Sequence, residues 1–184
     1  DNGSQWTYAL GAFGETAEGD VAGEGDEGWD ITGRVTYAPL NSNGKVVHLG
    51  LAGRQHTPED STNSLRFRER PESNVTDVRL IDTGTLTDVK VIQFTGLEAA
   101  AVFGPFSLQS EWIGTQVSRD NGAEDLDFSA WYAYASWFLT GESRPYKNGI
   151  FDRIKPKSTV GQGGIGAWEV AVRYSQADLT DGSV

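Results

Sequence analysis

The chain is built from segments in which apolar and polar residues alternate. Residues 29–39 show the pattern most clearly: Trp29, Ile31, Val35 and Tyr37 hold odd positions, and polar side chains hold the even ones. Successive side chains of a β-strand point to opposite faces. The segment therefore predicts a strand with one apolar and one polar face. Similar strands are predicted at residues 4–15, 45–56, 89–103, 106–117, 128–140 and 167–179, with shorter extended pieces at 65–70 and 75–81.

These segments add up to about eight strands and one possible short helical turn at residues 144–151. Most strands exceed the roughly 5–6 residues usual in globular sheets and match the roughly 9–11 of membrane barrels. Mean hydropathy is −0.42, and no apolar run approaches the ~18 residues of a membrane helix. A barrel tolerates this composition, because only every second residue faces lipid. The pattern predicts an all-β, antiparallel transmembrane β-barrel.

Two turns define the expected strand pairing. A three-residue loop at residues 42–44, with Gly44 in the left-handed conformation, would pair Tyr37 with Leu49 and keep the apolar faces together. A two-residue turn at the Gly-Pro pair 104–105 would place Phe103 opposite Phe106. Each residue before 103 would then lie opposite the residue equally far beyond 106.

The second turn has a consequence for charge. It places Phe103 opposite Phe106 on the apolar face and Glu98 opposite Glu111 on the polar face. Like charges directly opposite each other destabilise a strand pair. A cation must therefore neutralise the carboxylates, or they must share a proton.

Composition narrows the class of protein further. The 184 residues carry a net charge of −11, which argues against non-specific binding to nucleic acid. There is no cysteine, hence no disulfide framework and no thiolate metal site. The chain does not begin with methionine, as expected of a processed or truncated start, for example a mature exported chain. The acidic stretch 15–28 is expected to be a solvated outer loop, with a calcium site as the alternative.

Three sequence runs resemble a known family. They are GPFSLQSEW at 104–112, SWFLTGESRPYKNGIFDRIKP at 136–156 and GAWEVAVRYSQADLTDG at 166–182. These runs, together with RPES at 70–73 and the Asp-Thr-Gly run at 82–84, resemble the phosphate-selective porins O and P of Gram-negative outer membranes. The resemblance covers roughly residues 70–182 and is strongest between 104 and 179.

The resemblance implies an architecture and an activity. Its members form barrels of about 16 strands that assemble as trimers. Residues 1–184 would be a single segment, from the second half of such a barrel, without separate domains. The implied function is passive diffusion of phosphate, polyphosphate or other small anions across the cell outer membrane, in contact with lipid and lipopolysaccharide. It implies no enzymatic activity, no metal and no cofactor.

Arg66, Arg68 and Arg70, here called the arginine series, are the first candidate site. Residues spaced by two in an extended segment point to one side, so three guanidinium groups could pass phosphate along a pore by paired hydrogen bonds. The alternative is a solvated loop in which Glu69 and Glu72 compensate the charge. The other basic side chains expected to line the pore are Arg79, Arg34, Arg54 and Arg173.

Glu98, Glu111 and Glu169 are expected on the inner wall. Salt bridges to Arg34, Arg54 or Arg173 from neighbouring inward faces would neutralise the opposed pair Glu98 and Glu111. Carboxylate pairs also occur in glycosidases, which leaves a hydrolase as a third interpretation. Nothing else in the sequence builds a sugar cleft.

Aromatic residues near strand ends complete the candidates. Trp112, Trp131, Trp137, Trp168 and Tyr174 are expected in the aromatic girdles that lie at headgroup depth. In a soluble β-sandwich the same side chains would fill a core, and Trp131 with Tyr132 could stack on sugars. A soluble carbohydrate-binding β-sandwich is therefore the alternative function.

The polar stretch 140–166, here called the excursion, follows the aromatic strand. It contains a basic cluster: Lys147, Arg153, Lys155 and Lys157. Barrels place their short turns on the periplasmic side, so the tight turn at 104–105 puts the excursion on that side too. A plug, a trimer contact and a periplasmic vestibule are the three roles its length allows.

Overall fold

A seven-stranded antiparallel sheet makes up most of the computed structural model, which describes residues 5–14, 28–59, 63–70, 72, 77–161 and 163–182. The long strands are β1 (Trp6–Gly14), β2 (Trp29–Ser42), β3 (Lys45–Thr57), β6 (Val89–Phe103), β7 (Phe106–Arg119), β8 (Leu126–Phe138) and β11 (Glu169–Asp178). Four two-residue strands complete the set: β4 (Arg68–Glu69), β5 (Ile81–Asp82), β9 (Tyr146–Lys147) and β10 (Ile150–Phe151). The spatial order is β1-β2-β3-β6-β7-β8-β11.

The described residues contain no helix, and none is therefore long and apolar enough to cross a membrane. The predicted all-β class is confirmed, with seven long strands where about eight strands of all lengths were expected. The acidic stretch 15–28 lies outside the described residues, apart from Gly28.

The predicted pairing of β6 with β7 is confirmed. Phe103 lies opposite Phe106, and Glu98 lies opposite Glu111, as the two-residue turn at 104–105 requires. The sequence was sufficient here because a two-residue hairpin fixes the register of every residue that follows.

The loop between β2 and β3 is shorter than predicted. Ser42 pairs with Lys45, so the loop consists of Asn43 and Gly44 alone. Both loop residues have positive φ, 50° and 72°, which is the conformation that an Asn-Gly pair adopts in a type I′ hairpin turn. The prediction of a three-residue loop was therefore wrong.

A β-bulge restores the register that the shorter loop would otherwise shift. Leu40 pairs with Val47, but Tyr37 pairs with Leu49, so β2 holds one extra residue between these two pairs. Pro39 occupies the bulge, where its missing N–H breaks no ladder hydrogen bond. The predicted alignment of the apolar faces was thus correct, but for a different reason.

A second hairpin replaces the expected helical turn at residues 144–151. Strands β9 and β10 pair with each other around Asn148 and Gly149, whose φ values are 52° and 78°. An Asn-Gly pair with positive φ at both positions closes a two-residue hairpin. The helical interpretation was therefore wrong.

The two faces of the sheet differ in chemistry. We call the face that carries Glu98 and Glu111 the inner face, and the opposite one the outer face. The outer face is apolar, and many of its side chains are exposed: Tyr8, Leu10, Ile31, Leu49, Leu51, Leu97, Leu108, Trp112, Trp131, Val172 and Tyr174. Pairing also assigns the faces of β8, since Trp131 lies opposite Trp112 and Tyr132 lies opposite Glu111.

Parts of the chain outside the long strands cover the inner face near both ends. Phe67 packs its ring edge-on against Phe94 and Phe128, next to a buried cluster that includes Val117 and Leu126. At the opposite end the β9–β10 hairpin lies against the same face. The outer face has no such cover among the described residues.

Both edges of the sheet are open in the part of the chain that the structure describes. There, β1 pairs with β2 alone, and β11 pairs with β8 alone. Every residue of β11 is exposed. Unpaired N–H and C=O groups along an edge strand are templates for a further strand.

Candidate functional site on the inner face

Glu98 on β6 is held by an arginine on β2, two strands away in the sheet. Arg34 donates from Nε to Oε1 of Glu98 at 2.7 Å and from Nη2 to Oε2 at 2.5 Å. This paired geometry is the strongest that a guanidinium and a carboxylate form. Of the three partners that the sequence offered, Arg34 is the one that reaches Glu98.

His48 extends this ion pair towards the excursion. Its side chain is 4% exposed and lies between two partners: Nε2 is 3.1 Å from Oε2 of Glu98, and Nδ1 is 2.7 Å from the hydroxyl of Tyr146. His48 was not among the predicted site residues. Its position on the polar face of β3 indicates that it points inward. Nothing in the neighbouring sequence indicates its contact with Tyr146, 98 residues away.

The β9–β10 hairpin is seated on the wall through its turn. Arg34 donates from Nη2 to the carbonyl oxygen of Gly149 at 3.1 Å. A Cβ atom at Gly149 would stand 2.7 Å from Oγ1 of Thr36, and the φ of 78° disfavours any other residue. The rings of Tyr146 and Phe151, 5.2 Å apart, close the hairpin above His48. This position on the inner face agrees with a plug-like role for the excursion.

Arg144 anchors the start of the excursion. Its Nη2 contacts Glu169 and lies 3.2 Å from the hydroxyl of Tyr134, while its guanidinium stands 5.5 Å from the ring centre of Phe138. Glu169 lies on the same face of the sheet as Glu98 and Glu111. The anchoring role of Arg144 was missed, since nothing in the sequence indicates which residue it contacts.

Glu111 differs from Glu98 in its surroundings. Among the described residues it forms no ion pair, and its cross-strand neighbour on β8 is Tyr132. It lines two cavities on the inner face, of about 160 Å³ and about 570 Å³. Of the two opposed carboxylates, Glu98 is therefore compensated by a cation and Glu111 is not.

Two members of the arginine series are paired with carboxylates. Arg66 donates from Nε and Nη2 to Asp82 at 2.7 and 2.5 Å, and these bonds hold the pKa of Asp82 at about 2. Arg70 lies 3.0 Å from Asp77. Arg68 is exposed and forms no ion pair within the described residues, and the same holds for Arg79.

The remaining predicted arginines also have carboxylate partners. Arg54 donates to both oxygens of Asp30, at 2.6 and 3.0 Å. Arg173 lies 2.9 Å from Glu72, with its guanidinium 3.6 Å from the ring centre of Tyr132. The expectation that these two arginines neutralise Glu98 or Glu111 was wrong, because nearer acids occupy them.

Unpaired cations are concentrated in the excursion. Lys147, Arg153, Lys155 and Lys157 are exposed, and none forms an ion pair among the residues that the structure describes. Because the hairpin seats this segment on the inner face, part of its positive charge lies beside the wall residues above.

The predicted interface aromatics lie in two groups on the outer face. Trp131 lies opposite Trp112 and 5.4 Å from the ring of Tyr174. Trp137, near the end where Trp168 precedes β11, stacks on Phe106. Six residues along β8 separate the two groups, which corresponds to about 20 Å of strand.

Comparison with known proteins agrees with this two-faced sheet. A family model for the phosphate-selective porins O and P matches residues 2–184. An uncharacterized protein of Caulobacter vibrioides is 32% identical over 176 residues, which cover 95% of this chain and 35% of that protein. Porin O of Pseudomonas aeruginosa is 29% identical over 179 residues, which cover 88% of this chain and 40% of that protein. The chain thus spans less than half the length of these two curated relatives.

Proposed function

Since the chain belongs to the phosphate-selective porin O and P family of outer-membrane proteins, we propose that it forms part of the wall of a passive channel for small anions such as phosphate or polyphosphate. The inner face would border water, and the outer face would contact lipid and the acyl chains of lipopolysaccharide. No catalytic role is proposed for the carboxylates, because the family is one of channels.

The chemical difference between the two faces is the observation that carries this proposal. Leu97 is 49% exposed on the outer face, while the next residue, Glu98, joins an ion-pair network on the inner face. A water-filled membrane channel requires an apolar exterior and a polar interior on alternate residues of the same strand.

The open edges support continuation of the sheet into a larger barrel. We propose that β1 and β11 pair with strands elsewhere in the full-length protein, so that residues 1–184 form one part of a barrel of about 16 strands. Closure would leave no unpaired edge in the membrane. Assembly of such barrels as a homotrimer is part of the same proposal, supported by the family resemblance alone.

Anion selection is assigned in this proposal mainly to cations without carboxylate partners. A guanidinium that already donates two hydrogen bonds to an aspartate has few donors left for phosphate. Arg66 is in this position, whereas Lys147 on β9 and Arg153 and Lys155 just after β10 are exposed. Low-dielectric walls concentrate the field of such charges in the channel.

A soluble carbohydrate-binding β-sandwich is not favoured. A sandwich needs a second sheet over the apolar face, and the two small sheets, β4–β5 and β9–β10, lie on the inner side instead. Trp131, the proposed sugar platform, is on the outer face beside Trp112, whereas Tyr132 is on the inner face. One sugar ring could not stack on both.

The test compares two triple variants of the full-length protein in lipid bilayers. One replaces the arginine series by alanine, and the other replaces Lys147, Arg153 and Lys155 by alanine. Each removes three positive charges, but only the second removes three exposed, unpaired ones. We expect phosphate to block the chloride current of the second variant at least several-fold more weakly than that of the wild type, with a smaller loss for the first variant.

The arginine variant serves as the matched control for total charge. Equal loss of phosphate block in both variants would contradict assignment to the unpaired cations. Unchanged block in both would contradict anion binding by either segment. A wild-type chloride current that phosphate does not reduce would contradict phosphate binding inside the channel.

A further inference from the structure

The two opposed carboxylates of β6 and β7 are electrostatically unequal. Glu98 accepts two hydrogen bonds from Arg34 and a contact from His48. Glu111 lies directly opposite and has no ion-pair partner in the described part of the chain. The pair therefore leaves about one negative charge uncompensated on the inner face.

The position of Glu111 makes that charge accessible from the channel. It lines the cavity of about 160 Å³ beneath the β9–β10 hairpin together with Arg34, His48 and Tyr132, and it also lines the adjoining cavity of about 570 Å³. Solvent or an ion entering either cavity meets its carboxylate.

We propose that Glu111 is a specificity-determining residue that attracts cations at this level of the channel and limits its preference for anions. The inference rests on the proposed channel function. An unpaired charge next to a narrow aqueous space raises the local concentration of its counter-ions, and low-dielectric walls strengthen the effect. Glu98 does not act in this way, because Arg34 compensates it.

The first test is the zero-current potential of the full-length protein across a KCl gradient. We expect Glu111→Gln to raise the ratio of chloride to potassium permeability roughly two- to fivefold, the range that one charge a few ångströms from the ion gives in screened water. Glu124→Gln is the control with the same change in charge, since Glu124 is exposed in the β7–β8 connection and lines neither of these two cavities. It should leave the ratio unchanged.

A cysteine variant separates charge from folding. The 184 residues contain no cysteine, so Glu111→Cys introduces a single thiol into this part of the protein. In open channels, a negatively charged methanethiosulfonate reagent should move the permeability ratio back towards the wild type, and a positively charged one should move it away. The same molecules are compared before and after the reagent, so assembly of the variant does not affect the comparison.

The outcomes distinguish this inference from the proposed function. If the ratio is the same in the wild type and Glu111→Gln, or if both reagents leave it unchanged, Glu111 does not determine specificity, whatever the channel conducts. If the wild type forms no channel at all, the proposed function fails together with the inference. A shift of equal size in Glu124→Gln would overturn the inference by showing that the location of the charge is irrelevant.

Discussion

Charge on the inner face is arranged as individual ion pairs with a few unpaired exceptions. Arg34, Arg54, Arg66, Arg70 and Arg173 each face a carboxylate. Solvent-exposed ion pairs contribute little to the free energy of unfolding. The ion pairs have a larger effect on ion selection, because a paired guanidinium presents little net charge to an ion in the channel.

The Arg66–Asp82 pair gives a pH-dependent prediction. We expect Asp82→Asn to increase anion preference at pH 7, because it leaves Arg66 without its partner. The pKa of Asp82 is lowered from 3.8 to about 2, chiefly by Arg66, so the wild-type pair is complete above pH 4 and is lost as the pH falls through about 2. The difference between variant and wild type should therefore persist at pH 4 and fall to about half near pH 2.

Zero-current potentials at pH 7, 4 and 2 provide the measurement. Asp127→Asn is the control, since Asp127 is exposed at the start of β8, in register with Gln116 rather than with an inner-face residue. Complete disappearance of the difference at pH 2 would show that Arg66 does not hold Asp82 ionised. An absent difference at pH 7 would show that Arg66 does not face the channel.

For individual side chains, the sequence predicted only the face of the strand and the residue directly opposite. The inward direction of Glu98 follows from alternation, and its opposition to Glu111 follows from the tight turn at 104–105. The contact between His48 and Tyr146 joins residues 98 positions apart. Such contacts depend on how the excursion folds back, which alternation does not encode.

At the scale of elements, the β9–β10 hairpin is the part of the excursion that meets the wall. Three contacts seat it: Arg34 with the carbonyl of Gly149, His48 with Tyr146, and the close approach of Gly149 to Thr36. Each contact joins the hairpin to a different point on β2 or β3. We therefore expect the hairpin to narrow the channel as a fixed element.

Replacing Gly149 tests this expectation. Gly149→Val places a β-branched residue at φ 78°, which costs roughly 1–3 kcal/mol, and sets its Cβ against Thr36. We expect the hairpin to leave the wall and the single-channel conductance to rise, with more current noise. Asn148→Gly is the control, because glycine accepts the positive φ at this position and adds no clash.

Single-channel recordings of the full-length variants decide the matter. If Gly149→Val conducts as the wild type does, with the same noise, the hairpin does not narrow the channel. If Asn148→Gly raises the conductance equally, the effect comes from the turn's flexibility and not from the contact with Thr36.

Turn chemistry explains which elements the sequence predicted correctly. The Gly-Pro turn fixed one register directly. The loop after β2 was assigned three residues because the apolar faces had to coincide, and the actual solution combines a two-residue Asn43–Gly44 turn with a bulge at Pro39. The same Asn-Gly pair occurs at 148–149. A helical turn was predicted there instead, because the short flanking strands have no alternation of their own.

At the scale of the whole molecule, the proposed channel depends on a single sheet with two chemically different faces. Its outer face leaves leucine, valine and aromatic side chains exposed, and its inner face is covered near both ends by segments that carry most of the basic residues. Closed barrels satisfy every backbone group within the membrane, and the open edges of β1 and β11 are where such closure would continue. The net charge of −11 coexists with anion passage if most carboxylates are paired or lie outside the channel.

The zero-current potential of the full-length wild-type protein in a lipid bilayer tests whether it forms an anion-selective channel. Across a KCl gradient, we expect a potential of the sign that an anion-selective channel gives, and a fall in chloride conductance when millimolar phosphate is added. A cation-selective or neutral potential that phosphate leaves unchanged would contradict the account and would assign the filter to the acidic residues instead.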